Sequence, residues 1–132
     1  MIRLTPANCE IYGSTVVLEK QYGNLGYWSS EDDRAVWTIE VSTAGKYGVW
    51  LEWACDESSA GNAFILEIGP KRIAGRVAST GNWDTYHRTQ LAEVELQPGK
   101  HQVTFHSAGK ISGALIDLKS IELVPPMKRD FK

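Results

Sequence analysis

Arg34-Ala35-Val36-Trp37-Thr38-Ile39-Glu40-Val41-Ser42, then the turn Thr43-Ala44-Gly45-Lys46, then Tyr47-Gly48-Val49-Trp50-Leu51-Glu52-Trp53-Ala54-Cys55: this stretch decides the fold. In its first half Ala35, Trp37, Ile39 and Val41 recur at every second position. In its second half Tyr47, Val49, Leu51, Trp53 and Cys55 do the same. Successive side chains of an extended chain point to opposite faces, so a period of two marks a strand with one buried face. Trp37 and Trp53 share that face with aliphatic residues and read as core. Trp50 falls on the opposite face of its strand.

The same period runs outward in both directions. Downstream, Asp56 to Asn62 is a loop, Ala63 to Ile68 a strand turned by Gly69-Pro70, and Ile73 to Ala78 a shorter strand. Tyr86 to Leu96 reads as strand up to Gln97-Pro98-Gly99-Lys100. His101 to Ser107 alternates with Val103 and Phe105 inward, and Ala114 to Val124 is a last strand stopped by Pro125. Upstream, Glu10 to Tyr12 and Thr15 to Leu18 are strands around Gly13-Ser14. No segment holds a helical period over three turns. Eight to nine strands at short spacing, with Gly, Pro and Asn between them, predict an all-β chain: a two-sheet antiparallel β-sandwich or jelly roll. Residues 1–126 form the expected single domain, and 127–132, after Pro125-Pro126, read as tail or linker.

Composition narrows the function. The chain has 132 residues, 42% of them hydrophobic and 23% charged, as in a soluble globular domain. A net charge of −2 argues against nucleic acid, since phosphate binding needs a basic face. No apolar run reaches the ~20 residues of a membrane span. The N-terminus, Met1-Ile2-Arg3-Leu4-Thr5, has no apolar signal-peptide core. The chain reads as a cytosolic protein or as a module of a longer secreted one. Cys9 and Cys55 allow one disulfide or two buried thiols, not a disulfide framework.

Two loops hold the aromatics with no place in this alternation. Thr80-Gly81-Asn82-Trp83-Asp84-Thr85-Tyr86 sets a tryptophan among turn residues, and Gly26-Tyr27-Trp28-Ser29-Ser30 sets two aromatics before Glu31-Asp32-Asp33. Each loop tryptophan is either ligand-facing or a plug folded over the open end of the sandwich. With both loops at one end, they form an aromatic platform rimmed by polar groups. A pyranose has an apolar C–H face that stacks on an indole and hydroxyls that hydrogen-bond at the rim. Tyr27, Trp28 and Trp83 are the stacking candidates. Asp33, Asn82 and Asp84 are the hydrogen-bonding ones, with Asp32, Tyr86 and His87 also suited to the rim.

Catalytic patterns are thin. Asp32 and Asp33 are adjacent and diverge if extended; a paired-carboxylate site needs two convergent groups from different loops. His87, His101 and His106 lack metal-ligand spacing. Gly23-Asn24-Leu25-Gly26 is too short for a phosphate loop and opens no helix.

Five elements in order carry a family resemblance. They are Trp37-x-Ile39-x-Val41-x-x-Ala44-Gly45-Lys46-Tyr47-x-Val49, Ala60-Gly61-Asn62-x-Phe64, Thr80-Gly81-x-Trp83-Asp84-x-Tyr86, Leu96-x-Pro98-Gly99-Lys100-His101-x-Val103 and Leu115-Ile116-Asp117-Leu118. Together, over residues 4–125, they resemble carbohydrate-binding modules of families 6 and 35. The resemblance implies a galactose-binding-like jelly roll that binds an oligo- or polysaccharide without transforming it. It also implies an appendage tethered to a secreted glycoside hydrolase or sulfatase, outside the cell or in the periplasm. For the site it implies Tyr27 or Trp28, Trp83, and an asparagine two residues before Asp117, where this chain has Leu115. It further implies a structural calcium ion, held here by Glu19 and Asp117; the glutamates expected around Thr5 and Ala7 are not present. The reading opposed to all this is a structural or protein-interaction sandwich that has kept the core and lost the sugar.

Overall fold

In the computed structural model the described residues are 1–125; the expected tail, 127–132, lies outside them. They form eleven strands: β1 (Ile2–Leu4), β2 (Glu10–Tyr12), β3 (Val17–Glu19), β4 (Asn24–Gly26), β5 (Arg34–Val41), β6 (Gly45–Ala54), β7 (Ala63–Ile68), β8 (Lys71–Arg76), β9 (His87–Leu96), β10 (Gly99–Ser107) and β11 (Asp117–Val124). Two single 3₁₀ turns, Pro6–Asn8 and Glu57–Ser59, are the only helical pieces among the described residues. None is long and apolar enough to cross a membrane.

The strands make two antiparallel sheets. One runs β3-β4-β11-β6-β9, with β1 also on β11; the other runs β2-β5-β10-β7-β8. The two strands of the deciding stretch do not pair with each other. β5 lies against β10 in one sheet and β6 against β11 and β9 in the other, so the turn at 42–44 crosses between layers. Each strand therefore buries its alternating face against the opposite sheet: Ala35, Trp37, Ile39 and Val41 meet Tyr47, Val49, Leu51, Trp53 and Cys55 in one core. Phe64 and Phe105 stack within it at 5.2 Å between ring centroids. Trp37 and Trp53 each satisfy their indole N–H on a backbone carbonyl, those of Thr5 and Ala78.

Two strands escaped the sequence pattern. β1 and β4 are three residues each, too short for alternation to register, and β4 reads as a polar turn because of its glycines. The expected strand at Thr15–Leu18 is shifted to Val17–Glu19, and the last strand starts three residues later than Ala114. Both cysteines are free; Cys55 is buried and Cys9 half-buried.

Trp28 corrects an expectation. It is fully buried, edge-on to Phe105 at 5.5 Å, and closes the sandwich end as a plug. Its neighbour Tyr27 takes a left-handed backbone conformation (φ 56°), rare for a side chain that carries a Cβ, and is 67% exposed. One twisted residue thus sends one aromatic inward and the other outward.

This partition predicts opposite stability effects. Trp28→Ala should cost about 3–5 kcal/mol in urea unfolding, as large-to-small changes in closed cores do. Tyr27→Ala should stay within about 0.5 kcal/mol of wild type.

Candidate functional site

The ends of β4 and β6 and the starts of β9 and β11 lie together, since Leu25 pairs with Leu118, Asp117 with Ala54 and His87 with Trp53. The pocket sits at this end of the sheet. It encloses about 600 Å³ and is lined by Tyr22 and Tyr27 flanking β4, by Trp83, Asp84 and Tyr86 ahead of β9, and by Glu19, Asp117 and Lys119 among others. Four aromatic side chains and three carboxylates therefore share one opening.

The tryptophan loop is built by its small polar residues. Thr80 is buried; its hydroxyl accepts from the Cys55 amide at 3.0 Å and donates to the Asn82 carbonyl at 3.0 Å. Gly81 supplies a φ of 100° that L side chains rarely adopt. Asn82 Oδ1 accepts from the amides of Asp84 and Thr85, each at 2.8 Å, closing an Asx turn. Trp83 is thereby held half-exposed at the pocket wall.

The six expected ligand contacts separate. Tyr27, Trp83 and Asp84 line the pocket. Trp28 does not, being in the core. Asp33 is corrected likewise: it is fully buried and accepts hydrogen bonds from the Thr15 amide and hydroxyl and the Ser30 amide. Burial alone would raise its carboxyl; these hydrogen bonds outweigh that and hold it below the usual range, so it stays an anion that pins the 27–33 loop. Asn82 is exposed and outside the pocket lining, with its amide oxygen occupied inside its own loop. Tyr22, Tyr86 and Lys119 join the lining. Tyr22 had no signal in the sequence beyond its neighbouring glycine, because β4 was not recognised. Leu115, where the resemblance implies an asparagine, is buried in the core, and Ala114 takes the place on the wall.

The two expected metal ligands converge. A Cβ on Gly26 would collide with Glu19 Oε1 and come within 3.1 Å of Asp117 Oδ1, so both carboxylates close over a residue that has no side chain. Beside them Asn24 is fully buried; its Nδ2 donates to Glu19 Oε1 at 2.9 Å, while its Oδ1 has no partner among the described residues. Two carboxylates and a spare amide oxygen suit a hard cation, which takes 6–8 oxygens. Among the described residues no three Asp, Glu, His or Cys side chains form a ready-made cluster, so most oxygens would come from carbonyls, water or ligand. Burial, then the charges of Glu19 and Asp84, push the Asp117 carboxyl up to about 7. Burial, then the charges of Asp117, Glu19, Asp84 and Glu52, push the Tyr86 phenol up to about 12, so it is a neutral ring at any working pH.

No protein-family model matches the chain, and no curated protein matches it in sequence. Solved structures do match its fold. A family 35 carbohydrate-binding module from Cellvibrio japonicus superposes with a TM-score of 0.75 at 17% identity, over 96% of this chain and 95% of that one. A second, Xyl-CBM35 in complex with a glucuronic acid-containing disaccharide, gives 0.77 at 16% identity over 96% and 95%. The β-1,4-mannanase of Podospora anserina, a GH26–CBM35 protein, gives 0.72 at 13% identity over 98% of this chain and 28% of its own length. The fold is that of carbohydrate-binding modules of the galactose-binding-like type.

The raised Asp117 carboxyl makes metal-free stability pH-dependent. The unfolded chain ionises Asp117 near its ordinary value of about 3.9, the folded chain only near 7. Its contribution is therefore fully present below about pH 4 and lost as pH rises to about 7. With chelator present, Asp117→Asn should melt about 4 °C above wild type at pH 8, and the gap should close at pH 4; parallel melting curves at both pH values would refute the raised carboxyl.

Proposed function

We propose that this pocket binds carbohydrate and does no chemistry on it. The observation that carries the reading is four aromatic side chains, two of them strongly exposed tyrosines, converging with carboxylates in one opening at the loop end. Trp83 and Tyr27 stack on the apolar face of a sugar ring, and Asp84 takes hydroxyls at its edge. Stacking of aromatics on a preformed wall loses little conformational entropy on binding, but a shallow site of this size binds weakly, on the order of µM to mM.

Glu19, Asp117 and the Oδ1 of Asn24 hold a calcium ion in this reading. Bound there, a calcium ion would neutralise the two carboxylates and supply Lewis-acid chemistry toward a sugar oxygen. An acidic sugar fits such a pocket once a cation covers the carboxylates, and the glucuronic acid complex of Xyl-CBM35 supports that class of ligand. The mannanase match supports a role as an appendage of a glycoside hydrolase. The rival, a protein-interaction sandwich, rests on Leu115, which removes the amide expected at the sugar's edge.

Titration of intrinsic tryptophan fluorescence with a glycan panel tests this. In calcium the wild type should give a saturable shift for at least one glycan. Trp83→Ala should weaken that binding at least tenfold, about 1.4 kcal/mol, and EDTA should weaken it for acidic glycans most. No shift with any glycan from a protein that melts cooperatively would move the domain to the protein-interaction class.

A further inference from the structure

Lys119 is out of step with its strand. Along β11 and β6, Leu118 faces Trp53 and Ser120 faces Glu52; Trp53 and Glu52 are consecutive, so Lys119 is an extra residue with no partner across the ladder. Lys119 lines the pocket together with Asp117, two residues away and on the same face of the strand by alternation.

Its surroundings are unusual for a lysine. Glu19, Asp84 and Asp117 line the same opening, and Lys119 is the one cation among the lining residues. Yet among the described residues its ammonium forms neither an ion pair nor a hydrogen bond with any of them. It stands over the ring of Tyr86, 4.7 Å from the centroid. A cation on a half-exposed ring is held more loosely than one in a charge-assisted hydrogen bond. Tyr86, neutral and half-buried, is thus a perch that keeps the ammonium in the pocket with its three donors uncommitted.

We propose that Lys119 is the specificity-determining residue of this pocket, its ammonium leaving the Tyr86 ring to pair with an anionic substituent, carboxylate or sulfate, on the bound sugar. The proposal rests on the sugar-binding reading and adds to it a direct contact that needs no metal. Calcium and Lys119 then act on the same ligand class by separate routes. Removing the metal lowers affinity, but what acid preference is left depends on Lys119.

The test is calorimetric titration of wild type, Lys119→Met and Lys119→Arg with three matched ligands: a glucuronic acid-containing disaccharide, its neutral glucose counterpart and its sulfated counterpart. Each is run in calcium and in EDTA, with melting curves as the folding control. Lys119→Met should lose at least tenfold in affinity for the charged ligand while the neutral one stays within about twofold; Lys119→Arg should restore most of the loss. Loss with only one of the two charged ligands identifies the anion as carboxylate or sulfate. Equal losses for charged and neutral ligands would overturn the proposal and make Lys119 a prop for Tyr86. Undiminished acid preference in Lys119→Met, in EDTA as well as in calcium, would also overturn it. A wild type that binds the neutral ligand but neither charged one refutes the proposal and leaves the sugar-binding reading standing. A wild type that binds none of the three sinks both.

Discussion

The edge-on contact of Trp28 with Phe105 sets the geometry of the loop end. Trp28 follows β4 at one side of the first sheet, and Phe105 lies in β10 at the centre of the second. Joining them closes the sandwich where its core would otherwise open to water. It also fixes the chain on either side of Trp28. Upstream, Tyr27 must turn through a left-handed conformation and so faces out. Downstream, the Leu115 amide donates to the Trp28 carbonyl at 2.7 Å, which brings the approach to β11, and with it Asp117, beside β4. The buried Asp33 holds the far side of the same loop by accepting from Thr15 and Ser30. The indole N–H of Trp28 has no partner among the described residues, so apolar packing alone keeps the ring in place.

The fold was legible because burial follows backbone period. In β5 and β6 every residue assigned inward by alternation is buried, and Trp50, assigned outward, is half-exposed beneath the guanidinium of Arg88. What alternation misses is short strands. Three residues give at most two inward positions, too few to separate from chance, and so β1 and β4 were lost. The loss mattered for the site, because β4 is the strand beside which Tyr22, Glu19 and Asp117 gather.

The site was legible only in part, for a different reason. Residue type tells what a side chain can do, not what has already claimed it. Asp33, Asn82 and Asp84 look alike in the sequence, polar groups beside aromatics. In the fold, Asp33 is taken by three hydrogen-bond donors, the Asn82 oxygen by two amides, and Asp84 is left exposed at the pocket. Likewise Tyr27 and Trp28 are adjacent aromatics with equal claims, separated only by a backbone twist that no residue preference announces, since a tyrosine is an unusual occupant of that conformation. Lys119 carries no signal in the sequence, because a lysine two residues from Asp117 reads as an ordinary solvent-facing strand residue.

A pocket rich in acid sets the electrostatic terms for any ligand that enters it. Three carboxylates in one opening repel an anionic ligand, and burial, then the charges of Glu19 and Asp84, raises the Asp117 carboxyl. On the calcium-bound reading proposed above, a cation would offset that charge. Glu19 and Asp117 close over the bare backbone of Gly26, where any side chain would collide. Lys119 brings a positive charge to the same opening, over the Tyr86 ring and off the carboxylates. The absence of the asparagine at Leu115 then has a physical counterpart. Relative to the pattern the resemblance implies, the wall loses a neutral hydrogen-bonding amide and keeps aromatic rings and charge. On the reading proposed above, selection would rest less on matching hydroxyls than on matching an anion beside an apolar ring face.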